Sequence, residues 1–162
     1  MKQYKTVIVL LNLALLAIYF VFSVYQKEKL LKNGTLLLFE LAPVDPRSLM
    51  QGDYMQLRYA VVADLASDSI PKRGYCVVKA DQNNIARLVR IQQQKSPLQE
   101  GEKLVAYSSP STWNISIGAE SFFFQEGEAG KYDSARYGGI KVDEHGNSLL
   151  IGLYDAKRAR LN

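Results

Sequence analysis

Pro43-Val44-Asp45-Pro46-Arg47-Ser48-Leu49-Met50-Gln51-Gly52-Asp53-Tyr54-Met55-Gln56-Leu57-Arg58-Tyr59 reads as a tight turn feeding a strand. Two prolines fix φ and discourage helix, and Gly52-Asp53 is a turn dipeptide. Beyond the turn, strand geometry sends alternate side chains to opposite faces. Tyr54, Gln56, Arg58 and Ala60 form one set. Met55, Leu57, Tyr59 and Val61 form the other, apolar throughout, and that face is expected to be buried. The strand is expected to run to about residue 63.

Working outward, the next apolar runs are short and bounded by turn residues. Leu36–Leu41 lies between Gly34 and Pro43. Tyr75–Ala80 and Ile85–Gln92 flank Asp81-Gln82-Asn83-Asn84, a hairpin pattern. Leu104–Tyr107 and Trp113–Ile117 follow. Ile140–Val142 and Leu149–Leu153 flank a second hairpin turn, Asp143–Asn147. Glu128–Tyr137 is expected as a short helix stopped by Gly138-Gly139. The fold class is therefore mainly β, with minor α content: a compact antiparallel β barrel or sandwich with one short helix.

The N-terminus is different. Thr6–Tyr25 holds 20 residues without a charge. At about 1.5 Å per residue they span roughly 30 Å, the thickness of a bilayer's hydrocarbon layer. Lysines flank both sides, and Tyr4, Tyr19 and Tyr25 lie toward the ends, where aromatic residues favour the interface. The exit, Phe22-Ser23-Val24-Tyr25-Gln26-Lys27, is bulky and then charged, unlike a signal-peptide cleavage site. The expected organisation is a membrane anchor with a helical extension over residues 1–33, a β domain over 34–156 and a basic tail over 157–162. A short N-terminal tail before a large domain is the pattern of a single-pass signal anchor: N-terminus in, domain in the periplasm, span in the bacterial inner membrane. Two lysines precede the span and three follow it, so the basic count alone does not orient it.

Charge narrows the partners. The formal net charge is +4, but residues 1–32 hold five lysines against Glu28, and the remainder has 15 bases and 15 acids. The excess flanks the apolar segment, and the domain lacks the basic patch of a nucleic-acid binder. Lipid contacted by residues 6–25 and other membrane proteins are the partners expected. Cys76 is the single cysteine. It lies in an apolar run, has no partner for a disulfide and no companion for a Cys-based metal motif, and reads as a buried thiol. His145, the single histidine, sits in the Asp143–Asn147 turn without the ligand spacing of a metal site. No cofactor or metal is expected.

Gly52-Asp53-Tyr54-Met55-Gln56-Leu57-Arg58-Tyr59 matches the pattern GDYxxLxY at every defined position. Val44–Leu49, Glu120, Phe123, Gln125-Glu126-Gly127, Ala135–Gly138, Val142–Gly146 and Leu149 also fit. The chain resembles the GDYxxLxY-domain family over about residues 36–154. That resemblance implies a membrane-anchored bacterial protein without an assigned activity. A weaker resemblance is to signal-peptidase-like serine proteases, which follow an anchor with a Ser-Met-x-Pro-x-Leu-x-x-Gly-Asp segment. Aligned on Leu49 and Gly52-Asp53, it places Val44 at the nucleophile. Ser48 is out of register, and the comparable strand offers arginines, which stay protonated and make poor bases.

No complete catalytic set is visible, so no catalytic residue is assigned. The partner- or ligand-binding candidates are Asp53, Tyr54, Arg58, Phe122, Phe123, Glu126 and Arg136. Pro46, Gly52, Asp53, Leu57, Tyr59 and Gly127 are structural motif positions. Phe122-Phe123-Phe124 cannot all face one side of a strand, so at least one is expected outside the core. The leading expectation is a non-enzymatic, partner-binding subunit of a membrane assembly. The alternatives are a divergent signal-peptidase-like hydrolase using Ser48 or another serine, and a small-ligand-binding envelope module.

Overall fold

A computed structural model describes residues 2–42, 54–63, 65, 70–111 and 114–161. Helix α1, Lys2–Asn33, is continuous. Its side chains from Tyr4 to Tyr25 are exposed on every side, and Leu30 is the first to be buried. Such a helix has no polar face to turn toward water. Asn12, within the uncharged stretch, donates from Nδ2 to the Ile8 carbonyl at 3.0 Å, so its amide is bonded within its own helix.

Ten strands follow. β1 (Thr35–Glu40), β8 (Tyr137–Val142), β9 (Ser148–Tyr154) and β10 (Arg160–Leu161) form one antiparallel sheet in the order β1-β8-β9-β10. β3 (Arg73–Ala80), β4 (Ala86–Gln92), β5 (Glu102–Ser111) and β6 (Asn114–Ser116) form a second, ordered β4-β3-β5-β6. β2 (Tyr54–Gln56) and β7 (Ser121–Phe123) make a two-stranded ribbon. The sheets curl together where Leu38 bridges Ile85 and where Ala106 donates its N–H to the Gly146 carbonyl. The described domain is thus mainly β and antiparallel, with α1 at its N-terminal end.

One core joins all three sets of strands. Leu37, Phe39, Tyr59, Cys76, Val78, Val105, Ile140, Val142 and Leu153 are buried in it. Burying an aliphatic or aromatic side chain of this kind stabilises by roughly 1.5–3 kcal/mol. Both expected hairpins form. Asp81 shapes the first: its Oδ1 accepts the N–H groups of Asn83 at 2.7 Å and Ile85 at 3.0 Å. Asp143 does the same in the second, accepting from His145 and Asn147.

Three expectations are corrected. The strand expected to reach residue 63 ends at Gln56, and Ala60–Ala63 forms a one-turn helix, α2. Val62 and Ala63 donate to the Tyr59 carbonyl, and Val62 enters the core while Val61 is only half-buried. The helix expected over Glu128–Tyr137 shrinks to one 3-10 turn, Ala129–Tyr132. Gly138-Gly139 does not stop it; both glycines lie inside β8. A Cβ on Gly138 would strike the Tyr59 ring, and one on Gly139 the Tyr154 ring. The pair is there to admit two tyrosines. Finally, the basic stretch near the C-terminus is no free tail. Asp155 Oδ1 accepts the N–H groups of Lys157 and Ala159, the chain reverses, and β10 pairs with β9.

Candidate functional site

The β2–β7 ribbon sorts the aromatic residues. Register pairs Tyr54 with Phe123, Met55 with Phe122 and Gln56 with Ser121. Phe122 points inward. Its ring meets Tyr132 edge-on at a centroid distance of 4.9 Å, and Phe124 closes the group at 5.6 Å from Tyr132. Phe123 points outward and is 73% exposed, with the Tyr54 ring 5.7 Å away. The alternation expected beyond Gly52 therefore holds: Met55, Leu57 and Tyr59 are buried, while Gln56 and Arg58 are exposed and Tyr54 is half-buried.

The ribbon begins at Tyr54, where the described chain resumes after residue 42. Pro46, Ser48, Gly52 and Asp53 belong to the 43–53 segment and lie outside the described residues. Its two ends are held by neighbours of the candidate residues. Ala42 donates its N–H to the Arg58 carbonyl, and Leu41 donates to the Arg136 carbonyl and bridges Tyr59. The Arg136 guanidinium approaches the Glu40 carboxylate at 3.9 Å, both well exposed. An exposed pair of this kind contributes little stability and stays available to a ligand. The Tyr54–Phe123 ring pair thus stands where the chain resumes at residue 54, while the backbones of Arg58 and Arg136 hold Ala42 and Leu41. Phe122 instead is partly buried and packs against the core. Glu126 is exposed in the turn after β7, where Gly127 takes a φ of +84°.

Beneath this surface lies a polar support. The Tyr59 hydroxyl donates to the Ala119 carbonyl at 2.5 Å. Burial, and then the nearby Glu120 charge, raise the phenol above its ordinary range, so it stays a donor. Glu120 accepts from the Ile117 N–H and the Ser116 hydroxyl. Ser148 donates its hydroxyl to the Ile117 carbonyl, and Leu57 its N–H to the Glu120 carbonyl. These bonds fix the loop between β6 and β7, and with it the ribbon that carries Phe123. Ala119 and Ser148 carry no sequence signal for this role, because their partners lie 60 and 31 residues away.

Of the two arginines of β4, Arg90 is held by a carboxylate. Arg90 makes a bidentate pair with Glu102 at 2.6 and 2.8 Å, and its Nη2 also reaches the Pro97 carbonyl. The pairing raises the guanidinium further above its usual range and holds the Glu102 carboxyl below its own. His145 sits in an exposed turn whose Asp143 carboxylate is taken up by the turn's own donors.

The architecture defines a class: a curled antiparallel β domain joined to an apolar helix long enough to cross a membrane, Tyr4–Asn33. Residues 16–153 match the family described as GDYXXLXY protein, and the chain belongs to that family. The matched region begins inside α1, so the second half of the helix belongs to the same unit as the β domain. No curated protein and no solved structure matches the chain.

Proposed function

We propose that the protein is a single-pass subunit of a bacterial inner-membrane assembly, anchored by residues 6–25 with its N-terminus inside and its β domain in the periplasm. The domain binds a membrane partner through the outward face of the β2–β7 ribbon, and it does no chemistry of its own. The observation that carries this reading is the exposed Phe123 ring with the half-buried Tyr54 ring beside it. Aromatic side chains are enriched at the centres of interfaces, and Arg58 and Arg136 are the exposed arginines assigned to the same surface. The bare apolar helix supports the anchor, since an uncharged face of that length is stable only in lipid or against another protein.

Two measurements test it. Alkaline carbonate washing of cell membranes is expected to leave the full chain in the pellet. Purification in mild detergent is expected to bring down one membrane protein in fixed stoichiometry, with Phe123→Ser losing that partner while keeping its melting temperature. Release by carbonate sinks the anchor. A partner held equally well by Phe123→Ser sinks the docking face.

A further inference from the structure

One face of α1, from Tyr19 to Leu30, forms a wall of a cleft of about 220 Å³. Phe22, Ser23, Gln26 and Lys27 line that wall, and Asp143 and Asn147 from the β8–β9 turn line the other. The spacing is i, i+3, i+4, so these side chains share one stripe of the helix. The turn is held there firmly. Leu30 is buried, and the Lys141 ammonium donates to the Leu31 carbonyl from the start of the same hairpin. The cleft therefore has an apolar end at Phe22, within the span, and a polar end at Lys27, just past it.

The polar end carries both signs of charge. Lys27 makes no hydrogen bond or ion pair with any described residue. Asp143 Oδ1 is filled by the N–H groups of His145 and Asn147, while Oδ2 accepts only the Asn147 amide and keeps one acceptor site for a ligand. Burial alone would raise its carboxyl, but those hydrogen bonds carry it below the usual range, so it stays anionic. A cation and an anion on opposite walls of one cleft, at the level where the apolar segment ends, match a head group that carries both a phosphate and a primary ammonium. The volume agrees: it is smaller than the ~300–1,000 Å³ of pockets for whole drug-sized ligands, and the acyl chains would lie outside it along Phe22 and the span.

We infer that the cleft between α1 and the β8–β9 turn is a binding site for an aminophospholipid of the phosphatidylethanolamine type, with its phosphate on Lys27 and its ammonium on Asp143. This site rests on the reading of α1 as a membrane anchor. It sits apart from the β2–β7 face and depends on different residues. Selectivity follows from the chemistry. A choline head group has no N–H to donate to Asp143, and a glycerol head group has no cation.

The test uses the full chain, delipidated in dodecyl maltoside and given equimolar dioleoyl phosphatidylethanolamine, phosphatidylcholine and phosphatidylglycerol, with bound lipid read by native mass spectrometry. One phosphatidylethanolamine per chain is expected in preference to the others. Lys27→Gln and Ser23→Phe, the second of which fills the cleft without removing a charge, should each weaken retention by about tenfold, the factor that corresponds to 1.4 kcal/mol. Equal retention of the three lipids, or retention untouched by both variants, overturns the site. So does binding of soluble phosphoethanolamine as tight as that of the lipid, which would make the ligand a free metabolite. A Ser23→Cys chain that forms a disulfide with a second polypeptide would put a helix in the cleft and also overturn it. Carbonate washing separates the two failures. A chain that stays in the membrane but shows no lipid preference loses only this site; a chain released by carbonate loses the anchor as well.

Discussion

The Tyr59 hydroxyl is the last defined position of the GDYxxLxY string, and it ties the two halves of the domain by its bond to the Ala119 carbonyl. Leaving that buried acceptor without a donor costs about 1–3 kcal/mol. Tyr59→Phe should therefore lower stability by that amount in chemical denaturation of the full chain in detergent, with packing against Phe39 retained. Cys76 makes a second prediction. Burial pushes its thiol up to about 12, so at pH 8 it is almost wholly protonated and enclosed. Ellman's reagent should react only as fast as the domain opens, and at the full free-thiol rate in denaturant. Fast labelling of the native chain would show that the β3 core is open. Both residues were legible as buried from their apolar neighbours. What Tyr59 bonds to was not, because Ala119 is 60 positions away and a carbonyl acceptor leaves no mark in a sequence.

At the scale of elements, the patterns with local causes were readable and those with distant causes were not. The two hairpins were legible because their turns carry Asp81 and Asp143, whose carboxylates bond N–H groups two and four residues on. The inward and outward sets of β2 were legible from alternation alone. Gly138-Gly139 misled, since a glycine pair after a polar run is a helix stop, whereas here two tyrosine rings from other elements require it. Gly139→Ala should cost roughly 1–3 kcal/mol by overpacking against Tyr154, seen as a lower melting temperature; an unchanged one would mean that the ring moves aside freely. Asp143 gives a pH prediction. Its folded carboxyl lies below the ordinary ~3.9, so its contribution is complete above that value and is lost as the pH falls through the lower folded value. The stability gap between wild type and Asp143→Asn should thus be widest near neutrality and close in acid. A gap constant down to pH 2.5 would contradict the assignment.

At the scale of the whole molecule, α1 and the β domain form one unit. The family match runs from residue 16, within the helix, to residue 153, and Leu30 and Lys141 join the helix to β8 and β9. The apolar helix, long enough to cross a membrane, was legible from 20 uncharged residues. The candidate surface was legible in part. Phe123 is exposed with the Tyr54 ring beside it, whereas Phe122 turned inward because the register of β2 against β7 decides which of three phenylalanines is exposed. The cleft beside α1 was not legible at all, since it needs the β8–β9 turn folded back on the helix. Docking of a membrane partner on the Phe123 face is the proposal on which the function rests. Its most direct test is a photo-crosslinking amino acid placed at Phe123 of the full chain in living cells, with Val89, an exposed apolar residue on β4, as the control position. The account predicts one discrete crosslinked product at residue 123, containing a second membrane protein, and none at residue 89. No product at 123, or the same product at both positions, would contradict it.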